Sequence, residues 1–239
     1  MPHNVIVLDL ETLHSADDCR ICGAHLRGMV GACKSGHAHA PIGWDNKSAL
    51  SLSIGCFFDY TSGSVQWFDR LLLEQTMQAL VCRQPLMVSF NGIQFDFALM
   101  RAILRKLSAD MPPCVAPARL QGLTQLCDQF KALAARSYDI LAEIWRADPE
   151  SKYVKGLNSL GAVCLANGLG GKTGEGAQAP RDWQEGKIAQ TLNYCQQDVL
   201  LTKLLFELIL KNNGTIQRRN GPITLWVPEW RGEYKGEPQ

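Results

Sequence analysis

Near its start the chain carries a run that leaves little freedom in how it folds: Val5-Ile-Val-Leu-Asp-Leu-Glu11. Four apolar residues, three of them β-branched, predict a buried strand. Two acids then stand two apart at its end. Side chains at i and i+2 leave a strand on the same face, so Asp9 and Glu11 project together from an element that is otherwise apolar. Like charges held together raise each other's pKa unless a cation neutralises them, and a divalent metal held by oxygen ligands does so. The alternative is that Asp9 caps a turn and Glu11 is solvated, the commoner fate of an isolated D-x-E at a strand end. The pair acquires meaning only from what else the chain brings to it.

The pattern breaks over residues 13–47, which are rich in Cys, His, Gly and Ala and read as an insertion. Strand character returns from Leu50 to Tyr60 and from Val65 to Asp69. The turn Thr61-Ser-Gly-Ser64 joins these into a hairpin. A helix is predicted over 71–82, a buried strand over 85–90, a turn at Asn91-Gly92 and a helix over 94–107. Residues 108–135, with Pro112, Pro113 and Pro117, read as a loop followed by a helical piece. Helices follow over 137–145 and 156–167, then a glycine-rich loop over 170–180. The longest helix is predicted over 183–210, with Ile188, Leu192, Cys195, Val199 and Phe206 at three-four spacing. After Val199 it is apolar nearly all round, which predicts burial. A terminal hairpin is expected over 215–227 around Asn220-Gly221. The order of elements implies an α/β fold, a mixed sheet covered by helices, with residues 1–239 as one unit.

Two further groups of residues carry candidate chemistry. Asp96 falls in the first turn of the helix after Ser89-Phe-Asn-Gly-Ile-Gln-Phe-Asp96, where the helix dipole also favours a carboxylate. Tyr194 and Asp198 are four apart and share one helix face, about 5.4 Å apart along the axis. Each alone has a bland reading: a helix-start acid, an exposed Asp, a Tyr at the core edge.

In order, however, Asp9-x-Glu11, Asn91-Gly92 with Asp96, and Tyr194-x-x-x-Asp198 resemble the three motifs of the DEDDy group of 3′–5′ exonucleases in the ribonuclease-H-like superfamily. Asp139-Ile-Leu is similar to a short motif that this group carries between its second and third segments. Residues 157–208, with Gly171-Lys-Thr-Gly-Glu-Gly176, Trp183, Glu185-Gly186 and Tyr194-Cys-Gln-Gln-Asp-Val199, resemble a branch of predicted bacterial and archaeal exonucleases that also occurs fused to helicases. The hairpin ending in Val227-Pro-Glu-Trp230 fits the same branch, and only residues 13–47 lie outside the resemblance.

The resemblance implies a ribonuclease-H-like mixed five-stranded sheet flanked by helices. It implies Asp9, Glu11, Asp96 and Asp198 as ligands of two Mg²⁺ or Mn²⁺ ions, and Tyr194 as the residue that positions water. The implied substrate is a DNA or RNA 3′ end, single strands favoured, and a helicase or other protein is an implied partner. Thr12, Asn91, Gly92, Phe95 and Lys172 are the candidate substrate contacts. Gly171-Lys-Thr-Gly is not a nucleotide-triphosphate loop, because its spacing is wrong and it follows a helix rather than a strand. Two other readings stay open: an inactive ribonuclease-H-like binding module, and a structure-specific endonuclease.

Within the insertion, Cys19-x-x-Cys22, Cys33 and His37 have a spacing that suits a tetrahedral structural zinc. The alternative is a metal-free surface insertion. The insertion follows Glu11, so it is expected beside the mouth of any site there. The remaining cysteines, including Cys82, are expected as buried thiols in a reducing compartment. No apolar run is long enough to span a membrane and no signal-peptide pattern opens the chain, which makes the cytoplasm the expected location. A net charge of +1 gives no electrostatic announcement of nucleic acid, so that claim must rest on a site.

Overall fold

The computed structural model describes residues 4–22, 38, 40–112, 116–172, 176 and 178–228. A five-stranded mixed sheet runs in the order β3-β2-β1-β4-β5. β1 (Val5–Thr12) lies at its centre, antiparallel to β2 (Leu52–Asp59) and parallel to β4 (Leu86–Ser89). β3 (Ser64–Phe68) completes the hairpin with β2, and β5 (Tyr138–Asp139) adds a short parallel edge beside β4. Helices cover both faces, and a separate hairpin of β6 (Thr215–Arg218) and β7 (Gly221–Thr224) follows them. This is the mixed, helix-flanked sheet of the ribonuclease-H-like expectation. Among the described residues no helix is long and apolar enough to cross a membrane.

The alternation of β1 divides the core in two. Ile6, Leu8 and Leu10 face α2 (Leu73–Arg83), α3 (Asp96–Ala109) and α4 (Pro117–Ala134). Val5 and Val7 face the opposite layer, built on α6 (Leu160–Ala166) and α8 (Ile188–Lys211). Each fully buried aliphatic or Phe side chain here contributes about 1.5–3 kcal/mol of transfer free energy. By the same alternation Asp9 and Glu11 continue the Val5–Val7 face, so they look towards α8.

Several elements depart from the sequence expectation. The helical piece expected within 108–135 is α4, and it begins at Pro117, which occupies its first turn, where a missing N–H costs nothing. Tyr138-Asp139 is a strand, and the helix α5 (Ile140–Ala147) starts only after it, with Asp139 as its N-cap. The predicted 183–210 helix is broken: α7 (Ala179–Gln184) and α8 are separated at Gly186, whose φ of 79° no helix accommodates. Cys82 is exposed, since the buried stripe of α2 is Leu73, Met77, Leu80 and Val81. The second half of α8 is not wholly covered, for Leu200 and Leu204 are each 41% exposed.

The two ends of the insertion run against each other as a stalk. Ala16 and Gly43, Asp18 and Ile42, and Arg20 and Ala40 are joined by backbone hydrogen bonds of 2.9 Å. Cys19 bridges to Pro41, and Ala16, Cys19 and Ile42 are buried. The stalk ends in the short α1 (Lys47–Leu50), which returns the chain to β2.

Candidate active site

Parallel strands β1, β4 and β5 end on the same edge of the sheet, where open α/β sheets form their ligand crevices. β1 brings Asp9 and Glu11 there. β4 runs into the Asn91-Gly92 turn and then α3, whose first residue is Asp96. α8 crosses the opposite face and turns Tyr194, Cys195 and Asp198 towards the same point. Glu11, Asp96 and Asp198 are buried, while Asp9 keeps partial exposure.

The carboxylates are close enough to change one another's ionisation. Burial pushes Asp9 well above the usual carboxylate range, and the charges of Asp96, Glu11 and Asp198 push it further. Glu11 is raised well above its ordinary value by burial and then by Asp198. Asp96 is pushed up to about 8 by burial and by Asp139, against the backbone N–H groups that stabilise its charge. Asp198 is also raised by burial, and Lys172 and Tyr194 partly counter this.

Lys172 is the ammonium of this cluster. It forms an ion pair with Asp198 and lies 3.2 Å from the Tyr194 hydroxyl. Burial would lower its pKa, but the charge and hydrogen bond of Asp198 outweigh that and raise it. Two glycines make room for this arrangement. A side chain on Gly161 would press on the Lys172 stem at 3.3 Å, and one on Gly176 would meet the Tyr194 hydroxyl at 3.3 Å. Burial drives the Tyr194 phenol further above its ordinary value, so it is neutral and can donate a hydrogen bond.

The donor set fits a hard divalent cation. Asp9, Glu11 and Asp198 feel the positive charge of Lys172, Asp96 adds its repulsion to Asp9 and Glu11, and Asp198 Oδ1 is buried without a hydrogen-bond partner among the described residues. Buried polar oxygens are seldom left so. Ligand atoms of Asp9, Glu11 and Cys195 lie within 4.8 Å of one another. The Cys195 thiol, pushed well above its ordinary value by burial, donates to the Asp9 carbonyl at 3.4 Å.

Sequence reasoning saw Asp139 only as part of a short motif and missed what it holds. Its carboxylate accepts from the N–H groups of Asn91 and Ile93, each at 2.9 Å, and from Leu141 and Ala142 at 3.1 and 3.3 Å. One buried carboxylate thus ties the start of α5 to the turn that delivers Asp96. An acid standing two and three residues before the first free helical N–H groups is a readable cap signal. Asn91 takes a positive φ of 74° in that turn. At Gly92 a side chain would collide with Ser89 Cβ at 2.5 Å, so only glycine fits.

Thr12 sits at the β-bulge that ends β1 and is buried. Thr12, Asn91 and Phe95 line a cavity of about 470 Å³ beside Glu11, while Phe97 is core. Of the zinc candidates, Cys19 is buried in the stalk and Cys22 is exposed. Cys33 and His37 lie outside the described residues.

A family described as predicted 3′–5′ exonucleases related to the exonuclease domain of PolB matches residues 61–221, about two thirds of the chain. No curated protein matches it. The matched span carries Asp96, Asp139, Lys172, Tyr194 and Asp198. Asp9 and Glu11 precede it and reach the same cluster through the central strand. Membership of an exonuclease family implies a nucleic-acid substrate. The chain belongs to the family of predicted 3′–5′ exonucleases related to the exonuclease domain of PolB.

Proposed function

We propose that the protein is a metal-dependent 3′–5′ exonuclease of the DEDDy type, which removes nucleotides from single-stranded 3′ ends. The observation that carries this reading is that Asp9, Glu11, Asp96 and Asp198, from three separate elements, lie near enough to affect one another's ionisation, with Asp198 Oδ1 buried and without a hydrogen-bond partner among the described residues. Two Mg²⁺ or Mn²⁺ ions held by these four residues would lower the pKa of water and offset charge on the attacking and leaving oxygens.

The chain's own residues do the rest. Tyr194, a neutral phenol beside Asp198, orients the attacking water by a hydrogen bond. Lys172, held between Asp198 and the Tyr194 hydroxyl, contributes positive charge to the scissile phosphate. Asn91 and Gly92 let the terminal nucleotide approach the backbone, and Thr12 and Phe95 line its place. Asp139 positions this turn rather than touching substrate. In the insertion, Cys19, Cys22, Cys33 and His37 would hold a structural zinc; metal analysis after dialysis against EDTA tests that part, and no zinc per chain refutes it.

The test is product analysis on 5′-labelled DNA and RNA strands with Mg²⁺, Mn²⁺ or EDTA. A ladder shortening from the 3′ end, abolished by EDTA, is expected. Cleavage of a circular single strand would make the protein an endonuclease. Binding without cleavage in either metal would make it an inactive module.

A further inference from the structure

The cavity beside the carboxylates has a wall that the catalytic motifs do not supply. Its inner side is Glu11, Thr12 and Asn91, and its outer side is Trp44, Lys47 and Phe95. At about 470 Å³ it falls within the roughly 300–1,000 Å³ of small-ligand pockets. Trp44 and Lys47 come from the end of the insertion stalk, before the residues that match the exonuclease family.

Three features make this wall a recognition surface rather than a stray aromatic patch. The first is rigidity. The stalk is stitched by the backbone hydrogen bonds described above and anchored by buried Ile42 and Leu50, so Trp44 is presented from an ordered support. Sites held on such supports bind with less ordering cost.

The second feature is the geometry of the rings. Trp44 and Phe95 meet at a centroid distance of 5.8 Å and an angle of 66°. They form an open corner, too close to admit a third ring between them but able to receive one against the indole, which is 61% exposed. The third feature is charge. The Lys47 ammonium lies 5.0 Å from the Phe95 centroid and donates to the Trp44 carbonyl at 2.6 Å. Among the described residues no carboxylate pairs with it. An exposed indole backed by Phe95, with a fixed cation beside it and the pocket of Glu11 and Thr12 next to it, matches a nucleotide: a base to stack and an anionic backbone to hold.

We propose that Trp44 and Lys47 form, with Phe95, a stacking shelf for the base at the strand's 3′ end, so that the insertion contributes the nucleotide-binding wall. Taking the occupant to be a nucleotide rests on the exonuclease reading above. Because stacking accepts any base, the shelf binds ends without strong sequence preference.

The experiment uses the full chain with Mg²⁺ and two readouts. One is quenching of 2-aminopurine nucleoside 5′-monophosphate, which reports stacking without turnover. The other is KM and kcat on a labelled single strand. Trp44→Ala is expected to abolish the quenching and raise KM about ten-fold, with kcat within about two-fold. Trp44→Phe should restore most of both, and Lys47→Ala should raise KM without abolishing the quenching. Trp67→Ala, on the outer strand β3, serves as the control and should leave both readouts as in the parent. The exposed indole makes Trp44→Ala tolerable to the fold, and Trp44→Phe and Lys47→Ala decide the matter if it is not.

Quenching and KM that are indifferent to Trp44 overturn the shelf, whatever the nuclease does. A parent that quenches through Trp44 but degrades nothing overturns the exonuclease reading and leaves the shelf standing. A parent that degrades strands without quenching overturns the shelf alone, and one that does neither overturns both.

Discussion

The two faces of β1 are built from alternate residues of one strand, yet they answer to different physics. On one face Ile6, Leu8 and Leu10 are buried against helices and stabilise the fold by leaving water. On the other, Val5 and Val7 do the same under α8, and then Asp9 and Glu11 take the next two places. The second pair occupies positions that packing alone would fill with valine. Burying unpaired charge opposes folding, so that face trades stability for a cluster that a cation can complete. The contrast separates fold from function between neighbouring residues of one strand.

The largest effect is expected at the acids. Asp9→Ala or Asp198→Ala should cut nuclease activity by at least ~10³-fold while the metal-free protein melts no lower than the parent. Leu8→Ala, one residue away on the apolar face, should do the reverse. It should cost about 2–5 kcal/mol in denaturant unfolding, since it leaves a cavity in a fully buried core. Should Asp9→Ala and Leu8→Ala destabilise alike, the distinction between the faces is wrong. Tyr194→Phe is expected to slow the chemical step by up to ~10²-fold through a misplaced water with cation affinity unchanged; an unaltered rate removes Tyr194 from the mechanism.

Smaller effects sharpen the electrostatics. The four acids have folded-state pKa values raised above their unfolded ones, so the metal-free fold is favoured while they are protonated. Stability is then lost as pH rises. For Asp96 the window runs from the ordinary 3.8 to about 8. The metal-free melting temperature should fall by on the order of a few degrees across that window, and Asp96→Asn should flatten the slope. A melting temperature that rises over the same range contradicts the assignment. Asp139→Asn is the mildest change: it weakens the hold on the Asn91 and Ile93 N–H groups and should cost about 1–2 kcal/mol, with a few-fold loss of activity.

What could be read from residues alone follows the same division. β1, the β2–β3 hairpin and the α3 start announce themselves through alternation and local turn residues, and the acid motifs sit on them at fixed spacings. Whatever depended on distant partners stayed hidden. β5 is two residues long, too short for any period, and exists because Ser89 and Val88 offer it an edge. The sequence places a helical piece after the prolines, but does not show that Pro117 itself begins α4. The Lys172–Asp198 pair joins a loop to a helix 26 positions away. Trp44 lies in a segment without periodicity, and it comes near Phe95 through the stalk's long-range hydrogen bonds and the packing of α1 against α3.

The central claim is that four carboxylates from three elements form one divalent-cation site. Titration of the parent with Mn²⁺, followed by electron paramagnetic resonance of the free ion, addresses it without any assumption about substrate. About two ions bound per chain, with loss of binding in Asp9→Ala and Asp198→Ala, is the predicted result. No bound Mn²⁺ in the parent, or binding that survives both substitutions unchanged, would contradict it.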